Sequence, residues 1–427
     1  MQKEKSLIIK GDFCFSKTKE QIETIESGYV VCVDGVCKGT FKQLPEQYAG
    51  LPIYDYGHLL ILPGITDLHL HAPQFSFRGL GMDMELLEWL NVNTFPEEAK
   101  YADLSYAKKA YQIFAEELKA GMTTRACIFA TVHREATKLL MGLMEQTGLH
   151  TMIGKVNMDR NAPIEICERS AEESLQETVR WIEEIAYQYQ NTKAIITPRF
   201  IPSCSDALMK GLAKVRTQYG LAVQSHLSEN LDEIEWVHRL CPEAENYADA
   251  YEKRGLFGGD YPVIMAHCVH LEEEEITLIK QNGVYVAHCP QSNTNLASGI
   301  APVRRYLDEG LLMGLGTDVA GGYSSSVMRA MADAIQVSKL RYSIQDHSLL
   351  PLKLSEVFYL ATKGGGSFFG RVGSFEEGYE FDAVVIDDCA LKAPRVMNIL
   401  ERLERAVYLS EQCSVTAKYV AGTMVIA

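Results

Sequence analysis

Residues 60–71 read LILPGITDLHLH, an apolar run that closes on two histidines one residue apart. Residues 60–70 are read as a strand. Successive side chains of a strand point to opposite faces, so His69 and His71 share a face and form a two-nitrogen clip for a metal ion. An isolated H-x-H is a weak signal, because two part-buried histidines bonded to backbone give the same letters. Its weight depends on what stands at the ends of the neighbouring strands.

Seven further apolar runs are read as strands, at 122–130, 151–157, 194–200, 221–226, 263–267, 284–288 and 312–317. Helical patterns lie between them, at 106–120, 171–189, 206–219, 231–240 and 272–282. Eight strands alternating with helices fit an α/β chain with a (β/α)8 TIM-type barrel, although a doubly wound sheet gives the same alternation. The strand ends favour the barrel. The fifth run ends in His226, the sixth in His267, and the eighth leads into Asp318. A barrel gathers the C-terminal ends of all its strands on one face.

Outside the alternation, both ends of the chain carry short β-type runs. They fall at 6–9, at 29–33 before a turn at Asp34-Gly35, and at 382–386, 406–409 and 419–426. The expected organisation is a small β-sandwich-like domain built from 1–60 plus 370–427, beside a barrel over 61–369. No internal repeat, low-complexity tract or Pro/Ser linker interrupts it.

Composition narrows the function classes. The 427 residues are 47% apolar and 23% charged, which suits a large soluble core. The formal charge of −15 repels a phosphate backbone, so nucleic acid is not an expected partner. The acidic run Glu272 to Glu275 reads as the first turn of a helix, where carboxylates favour the helix dipole. No segment approaches the roughly 20 apolar residues of a membrane span. The opening MQKEKSLIIKGDF has no signal-peptide core, and a cytoplasmic protein with no membrane partner is expected. Eleven cysteines occur singly, none in a C-x-x-C pair, and read as small buried apolar groups in a reducing compartment.

The candidate chemistry follows from the strand ends. His226 supplies a third nitrogen. Glu229, three residues on, is a carboxylate able to ferry protons beside a metal, or a helix-start residue among Ser228, Asn230 and Asp232. Asp318 closes the run Gly314-Leu315-Gly316-Thr317-Asp318 and can ligate a metal and accept a proton from its water, or cap a helix after Ser324. His267 would hydrogen-bond that water. His288 is read as supporting structure, and His58, His133, His150, His238, His270 and His347 as surface or packing residues. Three imidazoles and one carboxylate around an open position suit one zinc ion per chain, with Fe2+ as the alternative. A second metal needs a bridge such as a modified lysine at the end of the fourth run. That end reads TPRF, and Lys193 lies at the wrong end. The H-x-E then P-C-x-x-C signature of one zinc-deaminase fold is matched only in its first half, by His133-Arg134-Glu135 and His270-Leu271-Glu272, and no P-C-x-x-C follows.

These segments resemble the amidohydrolase superfamily, in its mononuclear metal-dependent deaminase branch. The resemblance is carried by LPGITDLHLHAPQFSFRGLGMDMELLEWLNVNTFPEE from Leu62, TPRF from Thr197, QSHLSEN from Gln224, MAHCVHL from Met265, AHCPQSN from Ala287 and GLGTDVAGGYS from Gly314. GSFEEGYEFDAVVID, from Gly373, is similar to the C-terminal β segment of the superfamily. HAPQF, LLEWLNVNTFPEE and TPRF are closest to the guanine-deaminating members. The resemblance implies hydrolytic deamination of guanine at C2 to xanthine and ammonia by a metal-activated hydroxide, in a homodimer. It implies His69, His71, His226 and Asp318 as zinc ligands, with Glu229, Asp318 and His267 catalytic. It also implies that Gln74 and Arg199 hold the purine, with Phe200 beside them and His71, His226, Glu229 and Asp318 bounding the same pocket. A guanidinium fork matches the O6/N7 edge of guanine, and a glutamine offers a donor and an acceptor. A rim salt bridge for Arg199 and a loop cap for Gln74 are the plainer readings. Trp89 and Phe95 wall the pocket or pack a helix. Cytosine, a triazine or an adenosine-like nucleoside stay open as substrates of the same branch. So does a catalytically dead scaffold, which would be expected to lose ligands.

Overall fold

The computed structural model describes residues 5–427. Its strands are β1 (Leu7–Ser16), β2 (Ile22–Val33), β3 (Val36–Phe41), β4 (Ile53–Pro63), β5 (Ile65–His71) and β6 (Thr123–Phe129). They continue with β7 (His150–Gly154), β8 (Val156–Asn157), β9 (Thr192–Ala194), β10 (Thr197–Pro198), β11 (Val223–Leu227) and β12 (Val263–His267). The last are β13 (Tyr285–His288), β14 (Leu312–Leu315), β15 (Ala383–Asp387), β16 (Ser414–Val420) and β17 (Thr423–Ile426).

The two chain ends do meet in one sheet. Its order is β17-β16-β15-β4-β1-β2-β3. The β2–β3 hairpin turns at Asp34 and Gly35, both at positive φ (53° and 80°), the handedness that matches strand twist. One face buries Leu7, Ile9, Phe13, Val30, Phe381 and Tyr419 in a core of its own. The run at 406–409 is not a strand. It is the end of the helix Ile399–Tyr408, which buries Ile399, Leu403, Ala406 and Val407 at helical spacing. A capping box decides it: Asn398 accepts from the Glu401 N–H, and the Glu401 carboxylate accepts from the Asn398 N–H.

The run at 60–70 is two strands, not one. β4 ends at Pro63 inside the terminal sheet and β5 begins at Ile65 in a different one. A Cβ at Gly64 would sit 2.5 Å from both Thr124 and Asp382, so only glycine fits where the chain crosses between them.

The parallel strands form ladders β5-β6-β7-β9, β8-β10 and β11-β12-β13-β14. The runs at 151–157 and 194–200 are each broken in two. Pro198 has no N–H to continue a ladder, and a Cβ on Gly154 would stand 1.6 Å from Thr197 Oγ1. The ladders do not close into one eight-stranded ring. The bridge Ile196↔Val223 links the first arc to the second. On the other side, the Asp318 N–H donates to the His69 carbonyl (2.8 Å) and the His71 N–H to the Val319 carbonyl (3.0 Å). The result is the α/β arrangement expected, with helices such as Leu104–Ala120, Ala171–Ile185 and Asp206–Tyr219 packed outside the strands. Among the described residues, no helix is long and apolar enough to cross a membrane.

Candidate active site

β5 is buried at every residue, and its alternation puts His69 and His71 on one face with ring centroids 4.9 Å apart. Asp67 fastens this strand to the loop after β14. Its carboxylate accepts from the Thr317 hydroxyl (2.6 Å) and the Thr317 N–H (3.0 Å). That bond, with the Asp318-to-His69 backbone bond, delivers Asp318 to the clip. Asp318 Oδ1 lies 3.1 Å from His69 Nε2 and 3.4 Å from His71 Nε2.

His226 and His267 arrive from the ends of β11 and β12. His226 Nδ1 donates to the Arg199 carbonyl (2.6 Å), which leaves its Nε2 facing His71 Nε2 at 3.3 Å. His267 Nδ1 pairs with Asn293 Oδ1 (2.9 Å), and its Nε2 stands 3.4 Å from Glu229 Oε2 and 3.9 Å from Asp318 Oδ2. Ser228, His267 and Asp318 have φ of 49°, 72° and 46°, the left-handed region that side chains other than glycine rarely adopt. Such strain gathers where a fold forces side chains to a point.

The donor set fits a metal cation. The ligand atoms of His69, His71 and Asp318 lie within 4.8 Å of one another, as do those of His69, His226 and His267. Burial lowers the pKa of His69 and pulls those of His71 and His226 well below the ordinary value, which favours neutral rings able to offer lone pairs. Burial works against the Asp318 charge, but the His69 ring and its hydrogen bond outweigh it, and the carboxyl is held below the usual range. Neutral nitrogens and a carboxylate converging in a buried space want a cation. Each ring is aimed by a bond at its far nitrogen or by its strand, as metal-ligating histidines are.

Glu229 faces this centre from beside β11. Burial and the charge of Asp318 push its pKa well above the ordinary carboxylate value. Its Oε1 accepts from the Ser298 hydroxyl (3.1 Å). The helix-start reading belongs to its neighbour instead. Asn230 caps the helix Leu231–Leu240, and Glu233 closes the capping box.

A cavity opens on the centre. Its polar wall holds Gln74, Arg199, Glu229 and Asp318, and its apolar wall holds Leu86, Trp89, Leu90 and Phe200. His71, His226 and His267 form the floor. Trp89 therefore walls the pocket and also packs against Phe77, at 5.5 Å between ring centroids. Phe95 does not line the cavity; its ring lies 5.3 Å from the Arg199 guanidinium. Arg199 does form a salt bridge, but a buried one. It is 3% exposed and donates to Glu98, 1% exposed, at 2.7 Å. His288 is buried behind the floor with both ring nitrogens unpartnered, and burial takes its pKa down to about 3. Glu98, Asn293 and Ser298 were not picked out from the sequence. Each stands within a segment quoted above or near it, but only the folded contacts give it a task.

This site and fold place the chain in a known family. The chain belongs to the amidohydrolase family, which its residues 60–425 match. Within that family it is similar to guanine deaminases. The enzyme of Mus musculus is 38% identical over 382 residues, covering 86% of this chain and 83% of its own. That of Escherichia coli K12 is 33% identical over 396 residues, covering 90% and 86%. The crystal structure of guanine deaminase from C. acetobutylicum, with guanine bound in its active site, superposes with a TM-score of 0.95. It is 46% identical and covers 98% of this chain and 99% of its own.

Proposed function

We propose that this protein is a guanine deaminase, converting guanine and water to xanthine and ammonia. The observation that carries the reading is one cavity lined both by members of a buried donor set for a cation and by a guanidinium and an amide. The 46% identical structure holds guanine in its active site.

In this reading His69, His71, His226 and Asp318 hold one divalent ion, zinc or, alternatively, iron(II). Such an ion supplies Lewis acidity that brings the pKa of a water to about 7. Gln74 and Arg199 grip the purine edge, and Phe200 and Trp89 supply apolar surface beside it. Asp318 is ionised and takes a proton from the attacking water. Glu229, whose buried carboxyl favours the protonated form, gives its proton to ring nitrogen N3. The C2–N3 π pair moves to N3 as the water oxygen bonds to C2. His267 holds that water between Glu229 and Asp318. The proton on Asp318 then passes to the exocyclic amine, the hydroxyl now on C2 returns its proton to Glu229 as the C2=O bond forms, the C2–N bond breaks, and ammonia leaves with both carboxyls back in their starting states.

The same reading treats the two parallel arcs as halves of a (β/α)8 barrel over 61–369, with the terminal sheet as a small domain of 1–60 plus 370–427. It takes the chain to act as a cytoplasmic homodimer on a free base, without nucleic acid or membrane. Ammonia release from guanine, cytosine, a triazine and adenosine tests the substrate. Turnover of guanine above the others is expected. Preference for any of the other three would overturn the assignment.

A further inference from the structure

The two residues assigned to the purine edge depend on a third that does not line the cavity. Glu98 lies in the short helix Phe95–Ala99, behind Gln74 and Arg199. Its carboxylate is fully divided between them. Oε1 accepts from Gln74 Nε2 (3.0 Å), and Oε2 accepts from Arg199 Nη1 (2.7 Å). Gln74, Glu98 and Arg199 are 2%, 1% and 3% exposed, so water does not compete for these bonds. The Ala320 N–H donates to Gln74 Oε1 at 3.3 Å. The amide nitrogen thus faces an acceptor and its oxygen faces a donor, which fixes one orientation of the amide. The Phe95 ring, from the same short helix, lies 5.3 Å from the guanidinium. A guanidinium has donors only, and buried without an anion it is unfavourable.

We propose that Glu98 is the positioning residue of purine recognition: it sets the Gln74 amide and the Arg199 guanidinium as one rigid donor array and so selects a base with an oxygen at C6. This rests on the guanine reading of the pocket. A carboxylate is the one side chain that presents an acceptor to both neighbours at this distance. An amide in its place satisfies one neighbour and turns an NH2 group towards the donors of the other. The carboxylate also balances the Arg199 charge, so the pocket presents oriented N–H groups to a neutral base.

The test is Glu98→Gln, measured with guanine and with 2,6-diaminopurine, which carries an amino group in place of the C6 oxygen. KM for guanine is expected to rise about 10- to 100-fold, the loss of a hydrogen bond at a charged group, with kcat changed far less. The preference for guanine over 2,6-diaminopurine is expected to fall by about tenfold. Binding of xanthine, followed by calorimetry, should weaken in parallel while metal content holds, and the thermal midpoint should fall because the buried Arg199 charge loses its anion. Glu98→Asp keeps the charge but reaches only one partner, and should move KM in the same direction if Glu98→Gln fails to fold. Equal loss on both substrates, or a fall in kcat at constant KM, would reduce Glu98 to a structural role. A wild-type protein inert towards guanine breaks the functional reading. An active wild type with a Glu98→Gln variant that matches it overturns this inference alone.

Discussion

His226 shows how closely the proposed metal centre and purine pocket are joined. Its Nδ1 proton goes to the carbonyl of Arg199, whose side chain belongs to the purine wall. In the proposed reading, one residue therefore aims a metal ligand with its backbone and meets the substrate edge with its guanidinium. In the proposed mechanism, proton transfer turns on Glu229. Glu229→Gln keeps its volume and loses its proton, and turnover should fall by about 10²- to 10⁴-fold while metal content and xanthine binding hold. Near-normal ammonia release from that variant would remove Glu229 from the mechanism. Ser298→Ala removes the hydroxyl that steadies the same carboxyl, and kcat should drop roughly tenfold at unchanged metal content. The histidines and Asp318 are legible in the sequence because they stand at strand ends and are chemically rare. Glu98, Asn293 and Ser298 are common polar residues whose meaning lies in partners up to 101 positions away, and no local pattern marks them.

Among the elements, β6 and β15 are held together by a buried ion pair. Arg125 donates to both oxygens of Asp382, at 2.7 and 3.0 Å, with 3% and 0% of the two side chains exposed. Asp382 also accepts from the Ala421 N–H at 2.8 Å, which ties in the final hairpin. Asp382→Ala leaves Arg125 only the part-exposed Glu380, at 3.2 Å, and should destabilise the fold by up to about 3–5 kcal/mol, read as a lowered thermal midpoint. Burial raises the Asp382 pKa, but Arg125 outweighs it and the carboxyl stays below its ordinary value. Its stabilising contribution is thus complete at neutral pH and is lost as pH falls through that lowered value. Lys418 on β16 works in the opposite range. It donates to the Lys119 (2.7 Å) and Thr123 (3.1 Å) carbonyls, and burial lowers its pKa to about 7. The unfolded chain keeps that proton to about pH 10, so stability should rise with pH between about 7 and 10. Lys418→Met should flatten that rise in denaturation midpoints measured across the window. Elements with strong periodicity or caps, such as Asp206–Tyr219 and Val263–His267, coincide with their sequence reading. The 60–70 run misleads because a strand of one sheet continues without a gap into a strand of another. The 406–409 run misleads because four apolar letters do not distinguish a strand from the last turn of an amphipathic helix.

Over the whole molecule, both chain ends pair into one sheet, and the parallel strands point their C-terminal ends at one cavity. The alternation of strands and helices and the placement of histidines at strand ends were enough to locate that cavity. The breaks in the ladders were not legible, because they come from close approaches such as Gly154 to Thr197 that only the folded chain creates. The central claim is that a metal ion held by His69, His71, His226 and Asp318 is what makes this cavity deaminate guanine. The measurement is ammonia release from guanine by chelator-stripped protein as zinc is added back. The account predicts no release from the stripped protein and a rate that climbs to a plateau at about one zinc per chain. Full activity in the stripped protein, or no ammonia from a chain that has bound its zinc, would contradict it.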